Sequence, residues 1–113
     1  MEISLQGYNN KYVTMKIKTG AEVGNAMDIT ENNTASKAAD GKAPIGKLVS
    51  QNGEYGLIQT SGAIEFPFSG TSPSFGYTTI ACDGLGGIKA SATGRPVIVS
   101  EVNETAKTAI VIL

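Results

Sequence analysis

The sequence contains no histidine among its 113 residues. Histidine is the most common general base and metal ligand, and it activates the nucleophiles of Ser-His and Cys-His enzymes. The carboxylates show no paired spacing that would indicate a glycoside hydrolase. The glycine-rich segment that starts at Gly84 lacks the GK[ST] ending and the following helix of a phosphate-binding loop. We therefore expect no enzymatic activity, no metal site and no cofactor.

Cys82 is the only cysteine, so no disulfide can form within the chain. A lone cysteine is most often a small buried apolar residue, and the alternatives are an intermolecular disulfide and a reactive thiol. The fold must therefore be stabilised by packing and by backbone hydrogen bonds.

Charged residues are few, and neither sign dominates, since nine Lys and Arg oppose ten Asp and Glu. No basic cluster could neutralise a run of phosphates, so we expect no nucleic-acid partner. No apolar run reaches the ~18 residues of a membrane helix, and the start of the chain lacks the basic and apolar regions of a signal peptide. We expect a protein that is made in the cytoplasm, stays soluble and has no membrane partner.

Glycine is abundant, with 14 residues, and many of these stand between short apolar runs. Within residues 48–90, such runs are separated by Asn52-Gly53, Ser61-Gly62 and Asp83-Gly84. Asn-Gly and Asp-Gly favour two-residue hairpin turns because these residues adopt positive φ angles with little strain. The stretch predicts an antiparallel meander of strands at 48–51, 55–60, 63–68, 77–82 and 88–90.

Further strands are predicted on both sides of this meander. Residues 13–17 alternate apolar and polar side chains, and Met27 and Ile29 indicate a second, shorter strand. A closing hairpin is predicted from 96–102 and 108–113. The continuous apolar run of its second strand predicts burial on both faces.

Two segments differ from this strand-and-turn pattern. Residues 1–12 carry Ile3, Leu5, Tyr8 and Tyr12 without a clear strand period, and we interpret them as an extended arm that binds a partner. Residues 31–44 offer little to bury except alanines, so they are predicted to be a long loop, in which 35–39 could form one helical turn. That loop is either functional or a solvated connection.

Two residues of the meander carry a more specific expectation. Pro67 lacks an amide donor, which predicts that its strand lies at a sheet edge or at a bulge. Phe75 stands among small polar residues in a loop, and it is either a plug for one end of a barrel or an exposed contact. We include it among the candidate partner-binding residues.

The strand count and spacing predict one all-β domain. Its fold class is a small antiparallel β-barrel or sandwich, with an N-terminal arm at residues 1–12 and a body at residues 13–113.

The order of the turn motifs resembles a known protein family. The segments DGKAPIGKLVS, NGEYGLIQTSG, SGTSPSFGY, ACDGLGGIK and RPVIVSEVNETAKTAIVIL follow one another as in the capsid decoration, or head cement, proteins of tailed bacteriophages. The resemblance covers residues 23–113. It implies a β-barrel-like body that binds the outer surface of an assembled capsid, often as a trimer, and stiffens the shell without catalysis.

The resemblance also implies the partners and the location. The major capsid protein would be the main partner, copies of the chain would associate, with a trimer favoured, and the protein would reside on the virion surface after synthesis in the bacterial cytoplasm. The alternative is a cell-surface or carbohydrate-binding β module, whose sugar rings would stack on tyrosines. The candidates for such stacking are Tyr8, Tyr12, Tyr55 and Tyr77.

Overall fold

A computed structural model describes residues 11–113 of the chain. This part of the chain is all-β, as the sequence predicts, and contains no helix, so no helix within it could cross a membrane. Its ten strands are β1 (Lys11–Ile17), β2 (Ala26–Glu31), β3 (Thr34–Lys37), β4 (Gly46–Asn52), β5 (Tyr55–Ser61), β6 (Ala63–Pro67), β7 (Gly76–Cys82), β8 (Ile88–Ala90), β9 (Arg95–Asn103) and β10 (Thr108–Ile112).

The first five strands form a closed barrel in the order β1-β3-β2-β4-β5, with β5 pairing back to β1. All its neighbours are antiparallel except β1 and β3, which are parallel. Parallel neighbours need a crossover, and β2 provides it by pairing with β3 on its other side. The barrel is therefore built entirely from residues 11–61.

The last five strands form a second, antiparallel sheet in the order β6-β10-β9-β7-β8. The closing hairpin of β9 and β10 is confirmed, and β6, which contains Pro67, lies at an edge as its proline predicts. A parallel bridge between Phe68 and Ile88 connects the chain after β6 to β8 at the opposite edge. The Ser69 amide donates a 3.0 Å hydrogen bond to the Ile88 carbonyl at the same point.

The predicted five-strand meander is wrong as a pairing scheme, although its strand positions are close. Only Gly62 separates β5 from β6, which is too short for a two-residue hairpin turn. Gly62 has a φ of 99°, and it exchanges backbone hydrogen bonds of 3.0 and 3.4 Å with Leu113. The chain therefore leaves the barrel at this glycine and enters the second sheet beside β10.

The loop predicted for residues 31–44 is also wrong in part, because it contains β3. A turn at Asn32 and Asn33, the latter with a φ of 53°, reverses the chain between β2 and β3. Ala35 is fully buried in the barrel, and Ala38 is 2% exposed beside the second sheet. A small side chain is what such close packing needs, so two of the four alanines that suggested a solvated loop or a helical turn are core residues, while Ala39 and Ala43 are exposed.

The boundary predicted for the arm also shifts slightly. Lys11 and Tyr12, which we assigned to the arm, belong to β1 and pair with Ser61 and Gln59 of β5. The remainder of the predicted arm, with Ile3, Leu5 and Tyr8, lies outside the described residues.

Each half of the fold has its own hydrophobic core. Ile17, Met27, Ala35, Leu48 and Ile58 fill the barrel. The larger core lies under the second sheet and includes Phe66, Ile80, Ile88, Val99 and Val111 among its members.

Polar contacts connect the two halves. Arg95, at the start of β9, donates to the carbonyls of Pro44, Ile45 and Thr60 at 3.1, 3.0 and 3.4 Å. Burial lowers the pKa of this guanidinium from its ordinary value. Lys47 of β4 donates a 2.7 Å hydrogen bond to the carbonyl of Glu65 in β6. The barrel and the second sheet are therefore joined by side chains that bind backbone oxygens.

Candidate partner-binding surface

The structure describes two of the predicted partner-binding residues, and it places them on different sheets. Tyr12 lies in β1 of the barrel and is 48% exposed, whereas Phe75 precedes β7 of the second sheet and is 70% exposed. Phe75 is thus an exposed residue and not a plug. Nothing in the fold gathers these two aromatics into one site.

A different apolar surface lies on the outer face of the second sheet. Residues directly opposite one another in neighbouring strands have side chains on the same face. The register aligns four such residues across β6, β10, β9 and β7, which are Ala63, Ile112, Ile98 and Tyr77. We call these four residues the apolar row.

The apolar row is open to solvent, although most of its members are apolar. Tyr77 is 79% exposed and Ile98 is 43% exposed, while Ala63 and Ile112 are half-buried. The alternate residues of the same strands, including Ile64, Val99 and Val111, lie in the core. Because large exposed apolar patches mark interaction sites in soluble proteins, the row is a candidate docking surface.

A β-bulge determines which residues of β9 reach this face. Val111 pairs with Val99 and Ile110 with Glu101, so Ser100 is an additional residue on β9. An additional residue reverses the alternation of side chains beyond it. Val102 consequently packs against the core and Glu101 points outward with Ile98.

The bulge also creates a second row beside the first. Ile110 of β10 pairs with Glu65 of β6 on one side and with Glu101 of β9 on the other. Both glutamates are exposed and Ile110 is half-buried. We call these three residues the acidic row. The outer face therefore combines an apolar strip with two carboxylates along its border.

This face was not predicted from the sequence. The apolar run of β10 predicts burial on both faces, whereas the structure buries Ala109 and Val111 and leaves Ile110 and Ile112 half-buried. Tyr77 was considered only as a sugar-stacking residue. The sequence does contain a signal for this face, because β9 and β10 carry more apolar residues than one buried face of each strand requires.

The turn between β7 and β8 is organised by Asp83. Its carboxylate accepts hydrogen bonds from Ser69 Oγ at 2.6 Å and from the amides of Leu85 and Gly87 at 2.7 and 3.0 Å. Burial acts to raise the pKa of Asp83, but the hydrogen bonds from Ser69 and from the backbone amides outweigh it, so the pKa lies below the ordinary value. Asp83 is therefore a structural anion that fixes the turn.

This turn also contacts the barrel. The Ala26 amide donates a 2.8 Å hydrogen bond to the Gly86 carbonyl. Gly86 has a φ of 95°, and a Cβ there would lie 2.4 Å from Nδ2 of Asn25. The positive φ favours glycine at this position, and a Cβ would also displace the Asn25 side chain, so Gly86 serves turn geometry and packing.

Cys82 is buried and unreactive in this environment. Its side chain is 1% exposed, and burial, together with the nearby charges of Asp28 and Asp83, raises the pKa of the thiol to about 12. The thiolate needed for nucleophilic attack is therefore disfavoured. Among residues 11–113, no three His, Cys, Asp or Glu side chains come together as a metal site.

At least two depressions open on the barrel within residues 11–113. The larger, about 640 Å³, is lined by Lys16, Lys18, Glu31 and Glu54, which form ion pairs of 3.8 Å (Lys16 with Glu54) and 3.0 Å (Lys18 with Glu31). These lysines thus face carboxylates, which leaves little net charge for an anionic ligand.

The smaller depression, about 300 Å³, lies between β1 and the turn that joins β2 to β3. We call it the Tyr55 groove. Tyr55 is 57% exposed in it, beside Met15, Asn32, Asn33 and Thr34. An exposed aromatic ring next to amide and hydroxyl groups is a surface on which a sugar could stack and form hydrogen bonds.

Comparison of the chain with models of protein families and with curated proteins finds no match.

Proposed function

We propose that this protein is a structural component of a virion, a decoration protein that binds the outer surface of an assembled tailed-phage capsid and stabilises the shell. The observation that carries the proposal is the apolar row, in which Tyr77 and Ile98 remain exposed on a sheet whose other face is a complete core. The resemblance of residues 23–113 to head cement proteins supports the same function.

Binding of this kind stabilises a shell by mass action. A ligand that binds the assembled lattice but not the free subunits adds RT ln(1 + [L]/Kd) of stability at each site. A lattice offers many equivalent sites, so moderate affinity at each one is enough. A sheet face with a few apolar anchors and a polar border suits such a contact.

The proposal includes partners and a location. The major capsid protein is the main partner, the chain associates with further copies of itself, for which the resemblance favours a trimer, and the protein resides on the capsid surface after synthesis in the bacterial cytoplasm. No chemical step is assigned to it.

Cosedimentation with capsids tests the proposal. The full-length protein is mixed with assembled capsids of the phage or prophage that encodes it, from which this protein has been removed. Bound protein is measured after centrifugation. We expect saturable binding that Tyr77→Ser weakens by about tenfold or more, because central aromatic anchors carry a large share of interface energy. The absence of saturable binding would refute the function.

Tyr55→Ser is the matched control for this experiment. Tyr55 is also an exposed strand tyrosine, at 57% against 79% for Tyr77, but it lies on the barrel. It should leave capsid binding unchanged. An equal loss in both variants would show that the outer face of the second sheet is not the docking surface.

The second candidate function is carbohydrate binding in the Tyr55 groove, which the exposed ring and its amide neighbours favour. Retention on immobilised polysaccharides distinguishes the two functions with the same variants. Retention that Tyr55→Ser abolishes and Tyr77→Ser preserves would favour a carbohydrate-binding module.

A further inference from the structure

We infer that the surface bound by the outer face of the second sheet presents an arginine or lysine next to an apolar strip, and that this cation pairs with Glu65 and Glu101. The inference rests on the proposed function and specifies the chemistry of the partner. It follows from the acidic row and from the positions of the other charges.

The two carboxylates are placed to act on one cation. Glu65 on β6 and Glu101 on β9 flank Ile110 of β10, which lies between them. Neighbouring strands are about 4.8 Å apart, so the two glutamate backbones are separated by roughly 10 Å. A guanidinium or ammonium group above Ile110 could reach both carboxylates.

Within residues 11–113, no lysine or arginine forms an ion pair with these carboxylates. The three ion pairs among residues 11–113 join Lys16 to Glu54, Lys18 to Glu31 and Lys89 to Asp40, and none involves Glu65 or Glu101.

The remaining nearby cations are directed elsewhere. Lys47 bonds to the backbone carbonyl of Glu65 and not to its carboxylate. Arg95 bonds to three carbonyls of the barrel half. Lys107 lies over the ring of Phe68, 5.5 Å from its centre. The carboxylates of the acidic row are thus available to a partner.

A second copy of the chain is a poor occupant for this face. A two-fold dimer brings the same patch against itself. The residues that share the outer face with the two rows include Pro67, Thr108 and Asn103 at one end and Thr79 and Pro96 at the other, none of which is basic. The basic residue of this face is Lys89 of β8, opposite Ala81, and it already pairs with Asp40. Self-association through this face would leave the four carboxylates without cations, whereas a basic partner would be complementary.

The test compares Glu65→Gln/Glu101→Gln with Glu104→Gln, a control that removes an exposed carboxylate from the turn between β9 and β10. Association of the full-length proteins with capsids is measured at 50 and 300 mM NaCl. Border charges act mainly on association rate and salt dependence. We expect the double variant to associate about tenfold more slowly at low salt and to lose most of its salt dependence, while Glu104→Gln behaves as the wild type.

The outcomes separate this inference from the proposed function. No capsid binding by the wild type would refute the function and the inference together. Binding that requires Tyr77 but is unaffected by the double variant would overturn the inference and leave the function intact. A double variant that forms larger oligomers by sedimentation would assign the face to a second copy, which also overturns the inference. Equal melting temperatures confirm that the variants are folded.

Discussion

Ala26 and Met27 are consecutive residues of β2, yet their side chains lie in different hydrophobic cores. Both are fully buried, Ala26 beneath the second sheet and Met27 inside the barrel. Successive side chains of a strand point in opposite directions, so one strand can contribute to two cores at once. β2 therefore links the two halves through their cores, in addition to the polar contacts of Arg95 and Lys47.

Met27→Ala should destabilise the whole protein and not the barrel alone. Removing a buried methionine side chain costs about 2–5 kcal/mol. We expect one cooperative urea transition, shifted to lower denaturant, when both far-UV circular dichroism and tyrosine fluorescence are followed. The control is Ile29→Ala on the same strand, which is 47% exposed and should change stability little. Two separate transitions in Met27→Ala would show that the halves unfold independently.

Arg95→Met should also weaken the connection between the halves. Hydrogen bonds from a charged donor contribute roughly 1.5–3 kcal/mol, and the substitution removes three such contacts while keeping an apolar stem. We expect the free energy of unfolding to fall by at least the value of one such hydrogen bond, roughly 1.5–3 kcal/mol. Arg95→Lys keeps the charge but cannot donate to three carbonyls at once. Its free energy of unfolding should lie between those of the wild type and of Arg95→Met. An Arg95→Met variant as stable as the wild type would contradict this role.

Asp83 should make stability depend on pH in the acid range. Its folded pKa lies below the ordinary value of 3.8, so the carboxylate contributes stability that is complete above that value and is lost as pH falls through the folded pKa. We expect Asp83→Asn to melt below the wild type at pH 7 and at pH 5. The gap should narrow at pH 3 and pH 2. A gap that widened on acidification would show that the sign of the shift is wrong.

Alanine substitution of two neighbouring residues of β10 should lower stability more at the residue with the smaller side chain. Val111 is fully buried, whereas Ile110 is half-buried on the outer face. Val111→Ala should therefore destabilise by about 2 kcal/mol or more, and Ile110→Ala by about 1 kcal/mol, although the second removes more atoms. Chemical denaturation measures both. A larger loss in Ile110→Ala would mean that this face is covered in solution.

The positions of most strands were predictable because turns have local chemistry. A hairpin does join β4 and β5 at the predicted place, although Asn52 ends β4 and the two turn residues are Gly53 and Glu54. The strands β7, β8, β9 and β10 fall close to their expected bounds. The pairing was less predictable. Ser61-Gly62 looks like another hairpin turn in sequence, and only the contact of Gly62 with Leu113, 51 residues away in sequence, shows that the chain changes sheets there.

The candidate surface was hidden from sequence for a similar reason. At the bulge around Ser100, the alternation of inward and outward side chains along β9 reverses. A bulge exists only relative to a partner strand, and the sequence of β9 alone does not show how it pairs with β10. β3 was not predicted because Ala35, its one apolar residue, carries too little apolar area to give a strand signal. Burial of such small side chains depends on how closely distant segments approach, which only the assembled fold determines.

The bridge between Phe68 and Ile88 limits how copies of the chain can associate at high local concentration. An open sheet exposes unpaired amides and carbonyls along its two outer strands, and these can recruit further strands into fibres. Here the barrel closes on itself, and the bridge ties the chain after β6 to β8. In the sheets formed by residues 11–113, these closures restrict the addition of strands from other copies. Association through a sheet face stops once that face is covered, so a crowded layer of this protein can saturate without seeding filaments.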